Sequence, residues 1–159
     1  MIFSPEKFSS QNHACTINTI LNIEHFIFSN SGLYTKTQLW QNLPKKIMYQ
    51  SYKVVLEYLL TTNKISIQGR KVVWIGTKSK FDLEAYKAQN HAPTLTTICN
   101  VHEFISKNTG IYSKTDLWNS LPKKIMYQSY KVILEYLLFS GQIVIEGRKV
   151  TINGGGFNE

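Results

Sequence analysis

Residues 43–60, LPKKIMYQSYKVVLEYLL, return almost letter for letter as residues 121–138, LPKKIMYQSYKVILEYLL, with only Val55 against Ile133 differing. The segment has helical spacing. At about 100° per residue, Met48, Tyr52, Val55 and Leu59, flanked by Ser51 and Leu56, form one apolar stripe. Lys46, Gln50, Lys53 and Glu57 lie on the other side. Ile47, Val54 and Tyr58 run along one border of that polar face and Tyr49 along the other. The second copy repeats the pattern with Lys124, Gln128, Lys131 and Glu135, bordered by Ile125, Val132, Tyr136 and Tyr127. The expected element is an amphipathic helix with a buried stripe and a basic outward face, present twice.

The likeness extends beyond this segment. Shifting the chain by 78 positions aligns Phe3 with Phe81, Glu6 with Glu84, Trp40 with Trp118 and Gly69 with Gly147. Between residues 3 and 76, 43 of 74 positions match. A period of this length is too long for the common solenoid repeats and fits a duplicated small domain. The division expected is 1–78 and 79–154, with a flexible tail over 155–159. Free linker is short, about Thr77 to Lys80, so the two units are expected to sit against each other.

Within each unit, Ser4-Pro5-Glu6 has the form of a helix start, and Asp82-Leu83-Glu84 fills its place in the second copy. A longer helix is predicted from about Thr16 to Ser29, ended by Asn30-Ser31-Gly32, with Pro93 in the first turn of its second-copy counterpart. A brief extended piece at Leu33-Tyr34 leads to a short helix. Thr35 with Gln38, and Ser113 with Asp116, have capping spacing. Pro44 closes that helix, and the third helix is predicted from about Lys45 to Thr61. Two alternating runs, at Lys64–Ile67 and Lys71–Ile75, flank Gln68-Gly69-Arg70 and read as a β-hairpin.

Helix, short extended piece, capped helix, tight turn, helix and hairpin is the order of the winged helix-turn-helix. The chain resembles a tandem winged-helix protein of the kind common among archaeal and bacterial regulators, and the resemblance covers both copies. The implied fold class is α+β, mainly helical: two tandem winged-helix domains arising from an internal duplication. In such proteins the third helix usually enters the major groove with its N-terminal half. Here that half carries Lys45, Lys46, Tyr49, Gln50 and Lys53, repeated as Lys123, Lys124, Tyr127, Gln128 and Lys131. Lysine neutralises phosphates or donates to guanine, and glutamine pairs with adenine. The hairpin tips add Arg70, Lys71, Arg148 and Lys149 as phosphate contacts. All fourteen are candidate DNA-binding residues.

The charge agrees with an anionic partner. The chain carries +8, with +6 in residues 1–78 and +2 in residues 79–159. Glu146 stands where the first copy has Gln68, so one strong and one weak half-site are expected. The function expected is double-stranded DNA binding in transcription regulation or chromatin organisation. The competing reading is a protein–protein assembly module, similar to ESCRT-II or general transcription factor subunits, using the apolar border Ile47, Val54 and Tyr58. Self-association and RNA binding through the basic face are lesser alternatives. The excess of Val73 and Ile75 over Thr151 and Asn153 reads either as packing within the first copy or as an interface between domains or between chains.

Other chemistry is not evident. No nucleophile motif, phosphate-cradling glycine loop or paired catalytic carboxylates appear, so no enzyme, cofactor or small-molecule ligand is expected. His13, Cys15, His25, His91 and His102 fall into no metal-ligand spacing. Trp40 and Trp118 read as packing residues, and Trp74 as the inward residue of a hairpin strand. Cys15 and Cys99 are not equivalent positions, which favours reduced core thiols and a cytoplasmic protein, nucleoid-associated if it binds DNA. No apolar run approaches the roughly 18 residues of a membrane span.

Overall fold

A computed structural model describes residues 15–76 and 93–153. The proposed starts at Ser4-Pro5-Glu6 and Asp82-Leu83-Glu84, with His13, His91, the linker and the tail, lie outside the described residues. The first half contains α1 (Ile17–Ser29), α2 (Lys36–Gln41), α3 (Tyr49–Thr61), β1 (Ile65–Gln68) and β2 (Lys71–Trp74). The second half repeats the order as α4 (Leu95–Lys107), α5 (Lys114–Ser120), α6 (Tyr127–Phe139), β3 (Ile143–Glu146) and β4 (Lys149–Ile152). The architecture is α+β, dominated by helices, with two small antiparallel hairpins.

The short helices start where their capping residues stand. At α2, the Thr35 hydroxyl accepts from the Gln38 N–H at 3.3 Å while the Gln38 side chain accepts from the Thr35 N–H at 3.1 Å. These two bonds satisfy helix-start donors that would otherwise have no partner. Ser113 caps α5 in the same position, accepting from the Asp116 N–H. The extended piece before α2 joins the hairpin. Gly32 N–H donates to Val72 and Val72 N–H to the Tyr34 carbonyl, both at 2.8 Å, and Gly110, Val150 and Tyr112 repeat this in the second half. Each hairpin therefore gains a short third partner that ties it to the helices.

Each half builds a core from α1, α3 and the hairpin base, or their counterparts. Ile20, Ile27, Leu39, Tyr52, Val55, Leu59 and Val72 are all fully buried. Tyr52 is buried because its hydroxyl has a partner, the Lys36 carbonyl at 2.6 Å, and Tyr130 donates to Lys114 at 2.5 Å. Trp74 shares the inward face of Val72 but is only half-buried, meeting Phe28 edge-on.

The two halves pack together through equivalent surfaces. Thr16 and Thr94 form an antiparallel bridge. Across it the Ile17 N–H donates to the Pro93 carbonyl at 2.9 Å, and the Leu95 N–H donates to the Cys15 carbonyl at 2.6 Å. In repeat positions these two bonds are the same bond made in both directions, the signature of isologous contact. Pro93 thus precedes the N-cap Thr94 instead of occupying the first turn. Its missing N–H costs nothing there, and its carbonyl serves the neighbouring half.

Below the bridge, Tyr58 and Tyr136 face each other and are completely buried. Lys64 donates to Glu24 at 2.9 Å and to the Tyr136 hydroxyl at 2.5 Å, and Tyr136 donates to the same Glu24 carboxylate. Both charged groups lie inside the protein, so each depends on the other. The equivalent positions in the second half are His102 and Gln142, also buried. This junction corrects one expectation, since Tyr58 is no exposed border residue, and it does not draw on Ile75, which is 50% exposed.

Candidate nucleic-acid interface

The third helix begins four residues later than its sequence predicts. Met48, in extended conformation (φ −63°, ψ 142°), is the N-cap of α3, and Tyr49 opens the helix. Residues 43–48 are loop. One side chain from the short helix and one from the loop itself fix this loop. The Trp40 indole N–H donates to the Ile47 carbonyl at 2.9 Å, and Trp118 to Ile125 at 3.0 Å. Lys46 folds back onto the Gln41 carbonyl at the end of α2, and Lys124 onto Asn119 at 2.7 Å. An ammonium is well placed there, because the last carbonyls of a helix lack partners and carry partial negative charge. Lys45, Lys46, Lys123 and Lys124 are exposed, but they belong to the loop and not to a helix face. Lys46 and Lys124 are also engaged as helix-end donors. Met48, expected in the core stripe, is 53% exposed, because the wheel does not extend back to it.

What remains on the outer face of α3 is Tyr49, Gln50 and Lys53, with Tyr127, Gln128 and Lys131 on α6, all exposed. Tyr49 is 41% exposed, yet its ring is held edge-on against Trp40, with centroids 5.0 Å apart. The Lys53 ammonium also lies over that ring, 5.9 Å from its centre. Tyr127 repeats the contact with Trp118 at 5.1 Å. Trp40 and Trp118 therefore do more than fill space: each fixes the loop through its N–H and the exposed tyrosine through its ring. Nothing in their spacing distinguished that role from plain packing.

The hairpin tips show a local strain that is legible only in the backbone. Gly69 (φ 55°) and Arg70 (φ 74°) form a two-residue turn with both residues left-handed, as do Gly147 (φ 53°) and Arg148 (φ 79°). Such primed turns match the twist of antiparallel strands, and glycine or asparagine suits them best. An arginine there costs about 1 kcal/mol, and the cost recurs in both halves. Strain of this kind concentrates where a side chain is needed for contact. Arg70 and Arg148 are exposed, as is Lys149. Lys71 is half-buried and reaches the Leu33 carbonyl at 3.3 Å, so it is less available than Lys149.

Away from this surface, Cys15 and Cys99 are buried free thiols, and burial raises both above the ordinary thiol range. Among the described residues no cluster of His, Cys, Asp and Glu is suited to a metal ion, and no helix is long and apolar enough to cross a membrane. Two equivalent surface clefts open behind the loops, about 330 Å³ beside Phe26 and Pro44 and about 430 Å³ beside Phe104 and Pro122. No known family model matches the chain, and no curated protein sequence matches it either.

Proposed function

We propose that this protein is a tandem winged-helix protein that binds double-stranded DNA through α3 and α6 and the two hairpin tips. One observation carries the reading. The polar and basic residues of the third helix stay exposed in both halves, while the tyrosines of its apolar border are covered at the junction between them. Tyr58 and Tyr136 are covered and Val132 is buried. The assembly-module reading relied on that border as a free docking edge, and the covered tyrosines remove much of it.

The element order supports the winged-helix assignment, together with the short extended piece that pairs onto each hairpin. The contacting set is narrower than the sequence alone indicated. Tyr49, Gln50, Lys53, Arg70 and their counterparts form the outward surface. Lys45 and Lys123 flank it from the loop. Lys46 and Lys124 contribute charge from positions that also hold the preceding helix.

The test is fluorescence anisotropy on random-sequence duplex DNA at low and near-physiological salt. The comparison is Lys53→Glu/Lys131→Glu, chosen over Lys46 and Lys124 because no backbone carbonyl depends on Lys53. Binding of the wild type is expected to fall steeply with salt, by about 0.9 in logarithmic slope per phosphate contact. The variant is expected to flatten the slope by roughly two. Absence of binding at low salt, or an unchanged slope in the variant, overturns the assignment.

A further inference from the structure

We infer that the DNA target is an inverted repeat whose half-sites lie no more than about one helical turn apart. This rests on the DNA-binding reading above and specifies what one chain recognises. A linked pair of identical reading modules has two possible arrangements. Modules related by translation present their helices in the same sense and match a direct repeat. Modules related by a two-fold axis present them in opposite senses and match an inverted repeat, as symmetric dimers do.

The junction decides between them. The Thr16–Thr94 bridge is antiparallel and joins a position to its own equivalent. The hydrogen bonds from Ile17 to Pro93 and from Leu95 to Cys15 exchange donor and acceptor roles across it. Tyr58 meets Tyr136, again a position and its equivalent, and Lys64 reaches Tyr136 while Tyr58 faces Gln142. A translation cannot put a residue against its own copy. A two-fold axis must do so for every residue lying on it. The bridge and its reciprocal bonds on the strand-like segment, together with the tyrosine pair on the third helices, place one axis through the junction.

The same contacts bound the spacing. Tyr58 and Tyr136 sit near the C-terminal ends of α3 and α6, so the helices meet there and their N-terminal turns lie away from the axis. From Tyr58 back to Gln50 is about 12 Å of helix. Two such arms and the tyrosine pair between them keep Gln50 and Gln128 within about 40 Å, against 34–36 Å for one turn of B-DNA. Half-sites two turns apart are out of reach. Because the linkage is covalent, the pair engages such a site without dimerising, at high effective concentration.

The experiment is selection of bound duplexes from a randomised pool, using the full chain, followed by hydroxyl-radical footprinting on the winners. The expected result is a motif with dyad symmetry, its half-sites centred 10 base pairs apart or fewer, and mirror-related protection on one face of the duplex. Gln128→Ala/Lys131→Ala, altered only at exposed positions, is expected to keep the half-site preference while losing at least tenfold in affinity and all dependence on the second half-site. A direct repeat, an isolated half-site or binding with no enriched motif overturns the inference while leaving DNA binding in place. Failure to recover any DNA at low salt overturns the function itself.

Discussion

The two halves are alike on the outer face of the third helix and different in the titratable groups they bury at the junction. On the third helix, Tyr49, Gln50 and Lys53 recur unchanged as Tyr127, Gln128 and Lys131. At the junction, the positions of Glu24 and Lys64 are taken by His102 and Gln142. The contrast has a physical basis. When two identical chains associate about an axis, any charge placed near it is duplicated. A second acid and a second ammonium would crowd the same buried space. Linking both copies in one chain lifts that constraint. One half supplies the ion pair and the other supplies neutral partners, so the buried charges are matched once. The solvent-facing helix has no such requirement, because water and salt screen charges of one sign.

The largest effect expected is at this junction. Lys64→Ala leaves the Glu24 carboxylate buried with only a tyrosine for a partner, and is expected to cost about 3–5 kcal/mol in urea unfolding. The paired change Glu24→Gln/Lys64→Met removes both charges together and is expected to cost much less. A paired variant as unstable as the single one would show that the charges do not depend on each other, and the contrast would lose its basis.

Next in size is a dependence on pH. Burial first, and the positive charge of Lys64 second, push the His102 imidazole from 6.5 down to about 3. The folded protein therefore holds this ring neutral, while the unfolded chain protonates it below pH 6.5. The unfolded state binds more protons there, so stability falls as pH falls between those limits. The loss from this group between pH 7 and pH 5 is expected to be about 2 kcal/mol. His102→Gln should flatten that part of the profile, and an unchanged profile would assign the acid sensitivity elsewhere.

Smaller effects probe the proposed DNA-contacting surface. Trp40→Phe removes one indole hydrogen bond to Ile47 and is expected to cost about 1 kcal/mol, with a weakening of DNA binding as Tyr49 and its loop loosen. Arg70→Gly should move stability and binding in opposite directions. Relief of the left-handed strain is expected to stabilise by a few tenths to about 1 kcal/mol, while loss of the guanidinium weakens DNA binding. If both fall together, the tip is a structural turn and not a contact. Smallest of all, Lys53→Glu should change stability by less than about 0.5 kcal/mol, which thermal unfolding would check beside its effect on DNA.

Much of the fold was legible in the sequence, and for local reasons. Thr35 with Gln38 is a complete capping box, Pro44 stops a helix by its ring, and Gly69 suits the left-handed turn that joins two short strands. Tyr52, Val55, Leu56 and Leu59 were readable as core from their period. The errors share a single cause. Lys45, Lys46 and Met48 continue the helical pattern by spacing alone, yet they lie outside α3, because Trp40 and Lys46 reach across to backbone carbonyls and hold the loop open. Helical period is a property of neighbours in sequence, and those bonds come from another element. Tyr58 was misplaced for a similar reason: on its own helix it lies beside the polar face, and only the second half covers it.

The sequence by itself determined the doubled order of elements, the capped short helices, the hairpins and an exposed basic face, since each follows from spacing, turn chemistry and charge within a few residues. The tertiary structure alone decided how the two copies meet. Glu24 and Lys64 are 40 positions apart, and Tyr136 is 112 from Glu24. No local rule couples groups so distant. The reciprocal contacts of Thr16 with Thr94 and of Tyr58 with Tyr136 set how the halves pair, and the buried charges of Glu24 and Lys64 are matched only once both halves are in place.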